Sequence, residues 1–442
     1  MSAWIKSTFN TGWMHGDIKG AYLAETDDTA HTGNVITNGT FATVSDGQDG
    51  YDNGDGTVDG WGKNGNSSLS INGNALRFTQ TNSGSWQGGN ANYPMGSEFV
   101  VGKTYSVKYR IRSSGNGNYS QGVGVRIQKG SSWHSSNTHA YKETNSDPGT
   151  SWTTIHWTWI AEQDNYGIAF YNWYGVQNSW IEIDDIEVKE AVADRSYNNV
   201  GSNRSNRGGF YIQGTVNKTA VATGAELVAY SNFSGSNYLF QPYNSNLDFT
   251  TTMSIMLWVK GWQGSDSLLH RGPGTTRNSK TSFHLYCSYD YNYRITFTTN
   301  GGTEQSYDFG HSANLDGWHH VCFTLSGGTV KGFRNGVERT MSSTSFSGNI
   351  FSQATDKNGL YVGTGPVGGA AEPASIALLK LSSTVPSAEQ VKKIYHDEKQ
   401  LFQENAKCTL YGTSNQVEAV AYDDSNDILH AGTSAGRSEF VG

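Results

Sequence analysis

Between Tyr105 and Arg112 the chain alternates without a break. Tyr105, Val107, Tyr109 and Ile111 fall on one side, and Ser106, Lys108, Arg110 and Arg112 on the other. A period of two over eight residues specifies an extended strand with one face in a core and the other towards water. Ile155, Trp157 and Trp159 repeat the device, and turn chemistry such as Val101–Lys103 and Gly115–Gly117 punctuates the runs. The chain holds 54 Gly and 7 Pro, against roughly 31 and 22 from average usage. With 12% aromatic residues, that balance fits short strands joined by Gly/Asn/Ser turns, and neither collagen, a Pro-rich linker nor a helical bundle.

Length and charge narrow the class further. A chain of 442 residues is expected to hold two or three domains, and 16% charged residues exclude a disordered polyampholyte. A net charge of -8 leaves no basic excess to neutralise phosphates, so nucleic acid is not an expected partner. There is no apolar run long enough to span a membrane. The start, Met1–Lys6, lacks the apolar core of a signal peptide. Cys287, Cys322 and Cys408 are too few and too far apart for a disulfide framework. The expectation is a soluble, largely β protein made in a reducing cytoplasm.

Residues 34–190 read as one antiparallel β-sandwich and residues 226–405 as a second, where Ile255, Leu257 and Val259, then Ile295 and Phe297, then Val321, Phe323 and Leu325 resume the alternation. Residues 191–225 are polar and turn-rich and are read as a linker; residues 1–33 carry little period and are read as an attachment segment. Asn335–Gly336 between two strand patterns is a hairpin signal, because both residues accept the positive φ of a type I′ turn. Ser387 and Gln390 after Pro386 form a capping box. Val391, Ile394, Tyr395, Glu398, Leu401 and Phe402 then share one helical face, on which Glu398 alone is polar. Residues 406–442 end in a hairpin at 417–430. The fold class is therefore all-β: two antiparallel β-sandwich (jelly-roll) domains in tandem, one short amphipathic helix and a C-terminal hairpin.

Asn34–Phe41, Asp59–Trp61, Ala75–Phe78, Gly102–Tyr105, Ser151–Thr154 and Trp180–Val188 come in the order of the galactose-binding-like, carbohydrate-binding-module jelly rolls, which the first module resembles. Met253–Trp258, Gly317–Val321, Asn335–Gly336, Leu360–Gly363 and the closing Ser387–Val391 helix resemble the laminin-G-like (concanavalin-A-like) sandwiches. With Gly12–Ala21 and Ala419–Ser434, the arrangement resembles modular virion proteins of marine tailed phages, of tail-fibre or head-fibre type. That resemblance implies a non-enzymatic structural protein on the virion surface, a homotrimer bound to other virion proteins, which contacts host-surface glycans. The rival is an architectural capsid decoration or collar component.

Three constellations carry possible chemistry. Glu182, Asp184 and Glu187 match the E-x-D-x-x-E pattern of laminarinase-like glycoside hydrolases, a second alternative. Ile181 and Ile183 have odd parity while Ile186 and Val188 have even, so a bulge is expected at Asp184–Asp185, bringing the three carboxylates onto one face. A retaining glycosidase needs two carboxyl groups about 5–5.5 Å apart, but here the motif closes a module rather than sitting within one. Asp46, Asp49, Asp52, Asp55 and Asp59 offer hard oxygen donors on a Gly-rich stretch, suited to a structural calcium or to a solvated turn, although no EF-hand register fits. The resemblance implies a calcium near Asp184 or Asp185. Trp86, Trp133, Trp173 and Tyr174 sit in Gly/Ser/Asn loops, where a flat ring suits a sugar face, a protein neighbour or loop packing. Trp61, Trp152, Trp157, Trp159, Trp258 and Trp318 are read as structural or sheet-surface rings, and His319, His320 and Cys322 as structural rather than metal-binding.

Overall fold

The computed structural model describes residues 18–42, 57–58, 60–85, 89–117, 123–130, 138–144, 147–172, 174–196, 208–261, 267–273, 280–288, 292–310, 317–353, 358–365, 374–406, 417–425, 428–434 and 436–441. They form two compact units, each a sandwich of antiparallel sheets, as the alternation requires.

The unit of His31–Ala193 and Val200–Tyr211 pairs a five-stranded with a six-stranded sheet. The first runs in the order Thr153–Ile160, Thr104–Ser113, Trp180–Glu190, Leu76–Gln80 and Ser67–Ile71. The second runs Thr138–Thr144, Val123–Lys129, Tyr166–Asn172, Gly89–Gly96, Trp61–Gly65 and Thr57–Val58. Tyr105, Val107, Tyr109 and Ile111 are buried against Val123, Val125, Ile127, Ile168 and Phe170. Phe99 joins them, its ring 4.8 Å from Tyr105 and 5.3 Å from Tyr166. The expected bulge is present. Asp184 pairs with Arg110 and Glu187 with Lys108, with the register slipping between them, and Asp185 takes a φ of 49°. Ile183 and Ile186 therefore both reach the core.

The other unit holds an eight-stranded and a seven-stranded sheet. The Met253–Lys260 strand lies between His319–Ser326 and Ser375–Ser382. Its alternate residues serve two cores, because Ala388–Glu398, the α-helix of the unit, covers the outer face of the sheet. Met256, Cys322 and Phe333 pack on Val391 and Ile394. Trp258 stacks on Tyr395 at 5.6 Å and on Phe402 at 4.2 Å. The Ser387–Gln390 capping box forms with both hydrogen bonds. Glu398, the one polar residue on that face, is paired to Lys380 and accepts the indole N–H of Trp258 at 2.7 Å. The Asn335–Gly336 turn has φ values of 52° and 76°, as a type I′ hairpin requires.

Three segments divide differently from the sequence expectation. Ile18–Tyr22, within the expected attachment segment, is a strand paired with Ser375–Ser382, and Tyr22 and Leu23 are buried. Within the expected linker, Asn217–Ala220 is a strand on Val228–Ser231, and Val216 and Val221 are buried. Short apolar runs among polar neighbours carry too little period to be distinguished from a linker, yet pairing suffices to order them. The C-terminal hairpin gains a third strand, giving a sheet of Ala419–Asp423, Ile428–Thr433 and Gly436–Val441. No helix among the described residues is long and apolar enough to cross a membrane.

Candidate functional site

The outer face of the five-stranded sheet carries the carboxylates of the E-x-D-x-x-E pattern, and each is held by cations. Glu182 is fully buried between two guanidiniums: it accepts from Arg112 Nε at 2.6 Å and Arg77 Nε at 2.8 Å, and from the Asn72 amide at 2.6 Å. Arg110 binds Asp184 through Nη2 at 2.5 Å and lies 2.7 Å from Asp185 through Nε. Burial is the largest influence on Asp184 and raises its pKa. Burial would also raise Glu187, but hydrogen bonds from Lys108, Lys189 and the Tyr211 hydroxyl outweigh it and hold the carboxyl at about 2. All three side chains share the outer face, as the bulge dictates, and each is engaged by at least one cation. Asp184 and Asp185 share the single guanidinium of Arg110. Among the described residues there is no group of three or more His, Cys, Asp or Glu placed to hold a metal.

The six-stranded sheet presents a different outer face. Ala91, Met95, Val125, Ile127, Ile168 and Phe170 point inward, so Asn90, Asn92, Arg126, Gln128, Ala169 and Tyr171 point outward. Register sets them in cross-strand rows. Asn90, Tyr171 and Gly124 form one row, Asn92, Ala169 and Arg126 the next, and Gly167 and Gln128 a third. The middle strand sets Gly167, Ala169 and Tyr171 on this face, with Ala169 and Tyr171 buried, and the Arg126 guanidinium lies over the Tyr171 ring at 4.6 Å. Though outward-facing, Asn92 and Gln128 are only 4% and 3% exposed. Asn92 donates to Asn90 Oδ1 at 2.8 Å, but among the described residues Asn92 Oδ1 and Gln128 Nε2 have no hydrogen-bond partner. A buried amide group left unpaired costs about 1–3 kcal/mol, so each of these two atoms calls for a hydrogen-bonding group.

Of the loop rings, Tyr174 is described. It is half-buried on a two-stranded ribbon opposite Ser85, and its N–H donates to Asn172 Oδ1 at 3.3 Å. Trp86, Trp133 and Trp173, and the acidic Asp46, Asp49, Asp52, Asp55 and Asp59, lie outside the described residues. Trp61, Trp157 and Trp159 are core rings, and Trp152 is half-buried on the sheet surface. His320 is fully buried, and burial lowers its pKa to about 4; Cys322 beside it is a buried free thiol. Asn90, Asn92 and Gln128 were not legible as a site, because an outward polar residue on a strand reads as ordinary solvent surface.

Comparison with known proteins bears on the second unit. The sequence model described as the concanavalin A-like lectin/glucanases superfamily matches residues 233–392. Those residues form a concanavalin A-like lectin/glucanase domain. Together with the first unit they make a tandem of two β-sandwiches. No curated protein matches the chain. Among solved structures, domain 4 of the extracellular arabinanase AbnA from Geobacillus stearothermophilus, in complex with arabinotriose, is 18% identical over 42% of this chain and 88% of that one, with a TM-score of 0.33. The binding domain of botulinum neurotoxin serotype G is 10% identical over 57% and 62%, with a TM-score of 0.36. The binding domain of Paraclostridial Mosquitocidal Protein 1 is 10% identical over 54% and 60%, with a TM-score of 0.37. Apart from the arabinanase domain, such matches span about half to three fifths of the solved chains. Within the lectin-like domain, the His270 ring stacks on Tyr361 at 4.6 Å and His284 on Tyr286 at 4.4 Å, with Ser267 Oγ 2.9 Å from His284 Nε2.

Proposed function

We propose that this chain is a non-enzymatic virion surface protein that contacts host-surface glycans, with the outer face of the six-stranded sheet as its sugar-binding surface. The observation that carries the glycan reading is the pair of buried, unpartnered amide atoms, Asn92 Oδ1 and Gln128 Nε2, on the outer face of this sheet. One acceptor and one donor are the two kinds of group that sugar hydroxyls, which both donate and accept, can satisfy. The absence of an enzymatic role is supported by the clamping of Glu182, Asp184 and Glu187 between cations. The virion setting is supported by the sequence resemblance alone. Repeating the site in a homotrimer raises avidity over single-site affinity by about 10²–10⁴, and light scattering on the full chain reads that state directly.

The test is a glycan array probed with the full chain and with Asn92→Ala and Gln128→Ala variants. Binding to a defined set of oligosaccharides, lost tenfold or more in both variants while their melting temperatures hold, is the expected result. Equal binding by all three proteins refutes the surface. A second reading, an architectural capsid decoration or collar component, is favoured by one observation. Val420 and Tyr422 are 63% and 52% exposed on the C-terminal sheet, as an edge that meets neighbouring subunits would be.

A further inference from the structure

The opposite sheet of the first unit carries an arrangement that the carboxylate pattern does not explain. Arg112 is the cross-strand neighbour of Glu182, Glu182 of Arg77, and Arg77 of Ser70. Trp152 precedes Thr153, which pairs with Ile111, so it flanks Arg112 at the other end of the row. Trp180 stands two residues before Glu182 on the same face. The Arg112 guanidinium lies 4.6 Å from the Trp152 ring and 5.9 Å from Trp180, and Arg77 lies 4.3 Å from Trp180. Indole and guanidinium thus alternate along the strip: Trp152, Arg112, Trp180, Arg77.

Arg110 also lies 5.0 Å from the Trp152 ring and faces Asp184 and Asp185, so the three guanidiniums and three carboxylates of the two rows balance. One feature distinguishes this strip from a surface ion-pair network: the donors are not used up. Arg112 spends Nε on Glu182, and Arg77 spends Nε and Nη2; among the described residues, both terminal nitrogens of Arg112 and Nη1 of Arg77 make no hydrogen bond. Their side chains are 31% and 25% exposed, and both indoles are half-buried, so each group is fixed and yet reachable. Two strand spacings across and two residues along separate the indole-bearing positions by about 12 Å, the span of a short oligosaccharide.

We infer that this strip is a second saccharide contact, separate from the amide face, and that it takes acidic sugars. An indole face stacks on the apolar side of a sugar ring, and the neighbouring guanidinium edge receives a carboxylate or a sulfate ester through paired N–H groups, a geometry an ammonium cannot offer. Holding each guanidinium against an indole and onto buried Glu182 removes the rotamer freedom that binding would otherwise cost.

The experiment compares the retention of the full chain by dextran, by dextran sulfate and by polygalacturonate in affinity electrophoresis. The expected result is retention by one or both acidic polymers that exceeds retention by dextran at least tenfold and weakens with added salt. Which polymer retains it identifies sulfate or carboxylate as the recognised group. Arg112→Gln and Trp152→Ala should each lower that retention at least tenfold. Trp152→Ala leaves the Glu182 pairs in place, and a melting temperature equal to that of the wild type separates its loss of retention from unfolding of the sheet. Equal retention by dextran and dextran sulfate with none by polygalacturonate, wild-type retention by both strip variants, or equal retention of single-stranded poly-dT overturns the inference.

Discussion

Replacing Lys380 by Met tests what holds the helix on the second sandwich. Lys380 and Glu398 are 6% and 1% exposed at the side chain, and the carboxylate's other oxygen is bonded to the Trp258 indole. Methionine fills the stem of Lys380 but leaves Glu398 as a buried charge with one neutral donor. Removing one partner of a buried pair costs about 3–5 kcal/mol, whereas replacing both by apolar groups is often neutral or better. At about 2–4 °C per kcal/mol for a unit of this size, K380M should lower the melting transition of this unit by about 10 °C. The K380M/E398L double variant should recover most of it, short of about 1–3 kcal/mol for the indole N–H left without its acceptor. Calorimetry of the full chain, with Trp258 fluorescence to identify the transition, gives both values. A K380M loss below about 1 kcal/mol would mean that the pair behaves as an exposed one does, and the argument from burial would fail.

Glu187 should give the first unit an acid limb. Its folded pKa of about 2 lies below the ordinary 4.5, so its contribution, on the order of 2–3 kcal/mol, is complete above pH 4.5 and is lost as pH falls towards 2. Denaturant titrations should show Glu187→Gln less stable than wild type at pH 7 and nearly equal to it at pH 2; parallel curves would contradict the assignment. Gly336→Ala should destabilise the second unit by about 1–2 kcal/mol through its left-handed backbone, and by more through its Cβ, which would lie 3.0 Å from the Lys392 backbone; an unchanged denaturation midpoint would count against both. If the Asp46–Asp59 stretch holds calcium, a hundredfold excess over Kd should raise stability by about 2.7 kcal/mol, and a melting temperature indifferent to calcium and to chelator retires that site.

Much of this molecule was legible where a local rule and the tertiary fold agree. The parity switch from Ile183 to Ile186 located the bulge, Ser387 and Gln390 located the helix start, and Asn335–Gly336 located a hairpin. Glu398 looked like an error in an otherwise apolar stripe, and its partner could not be found because Lys380 belongs to a strand packed beneath the helix. The sites were less legible for the same reason. Arg112, Glu182 and Arg77 come together through pairing across 105 residues of chain, and the unpartnered state of Asn92 and Gln128 depends on what lies around them in space. Period reveals which face a residue takes, not what it meets there.

The pairing of Ile18–Tyr22 with Ser375–Ser382 makes the first sandwich an insertion within the second, since strands of the second precede and follow it in the chain. Synthesis at about 5–20 residues per second then separates the emergence of Ile18 from that of Ser382, 364 positions later, by roughly 20–70 s. During that interval the inserted module has its whole sequence and can close, while the enclosing one lacks a partner for its first strand. The enclosing module is therefore the natural client of chaperones. Excision is asymmetric as well: residues 31–211 hold the whole of the inserted unit in one continuous piece, with Asp194–Asn199 of the enclosing unit carried along, but no continuous piece beginning after residue 211 contains the whole of the lectin-like unit.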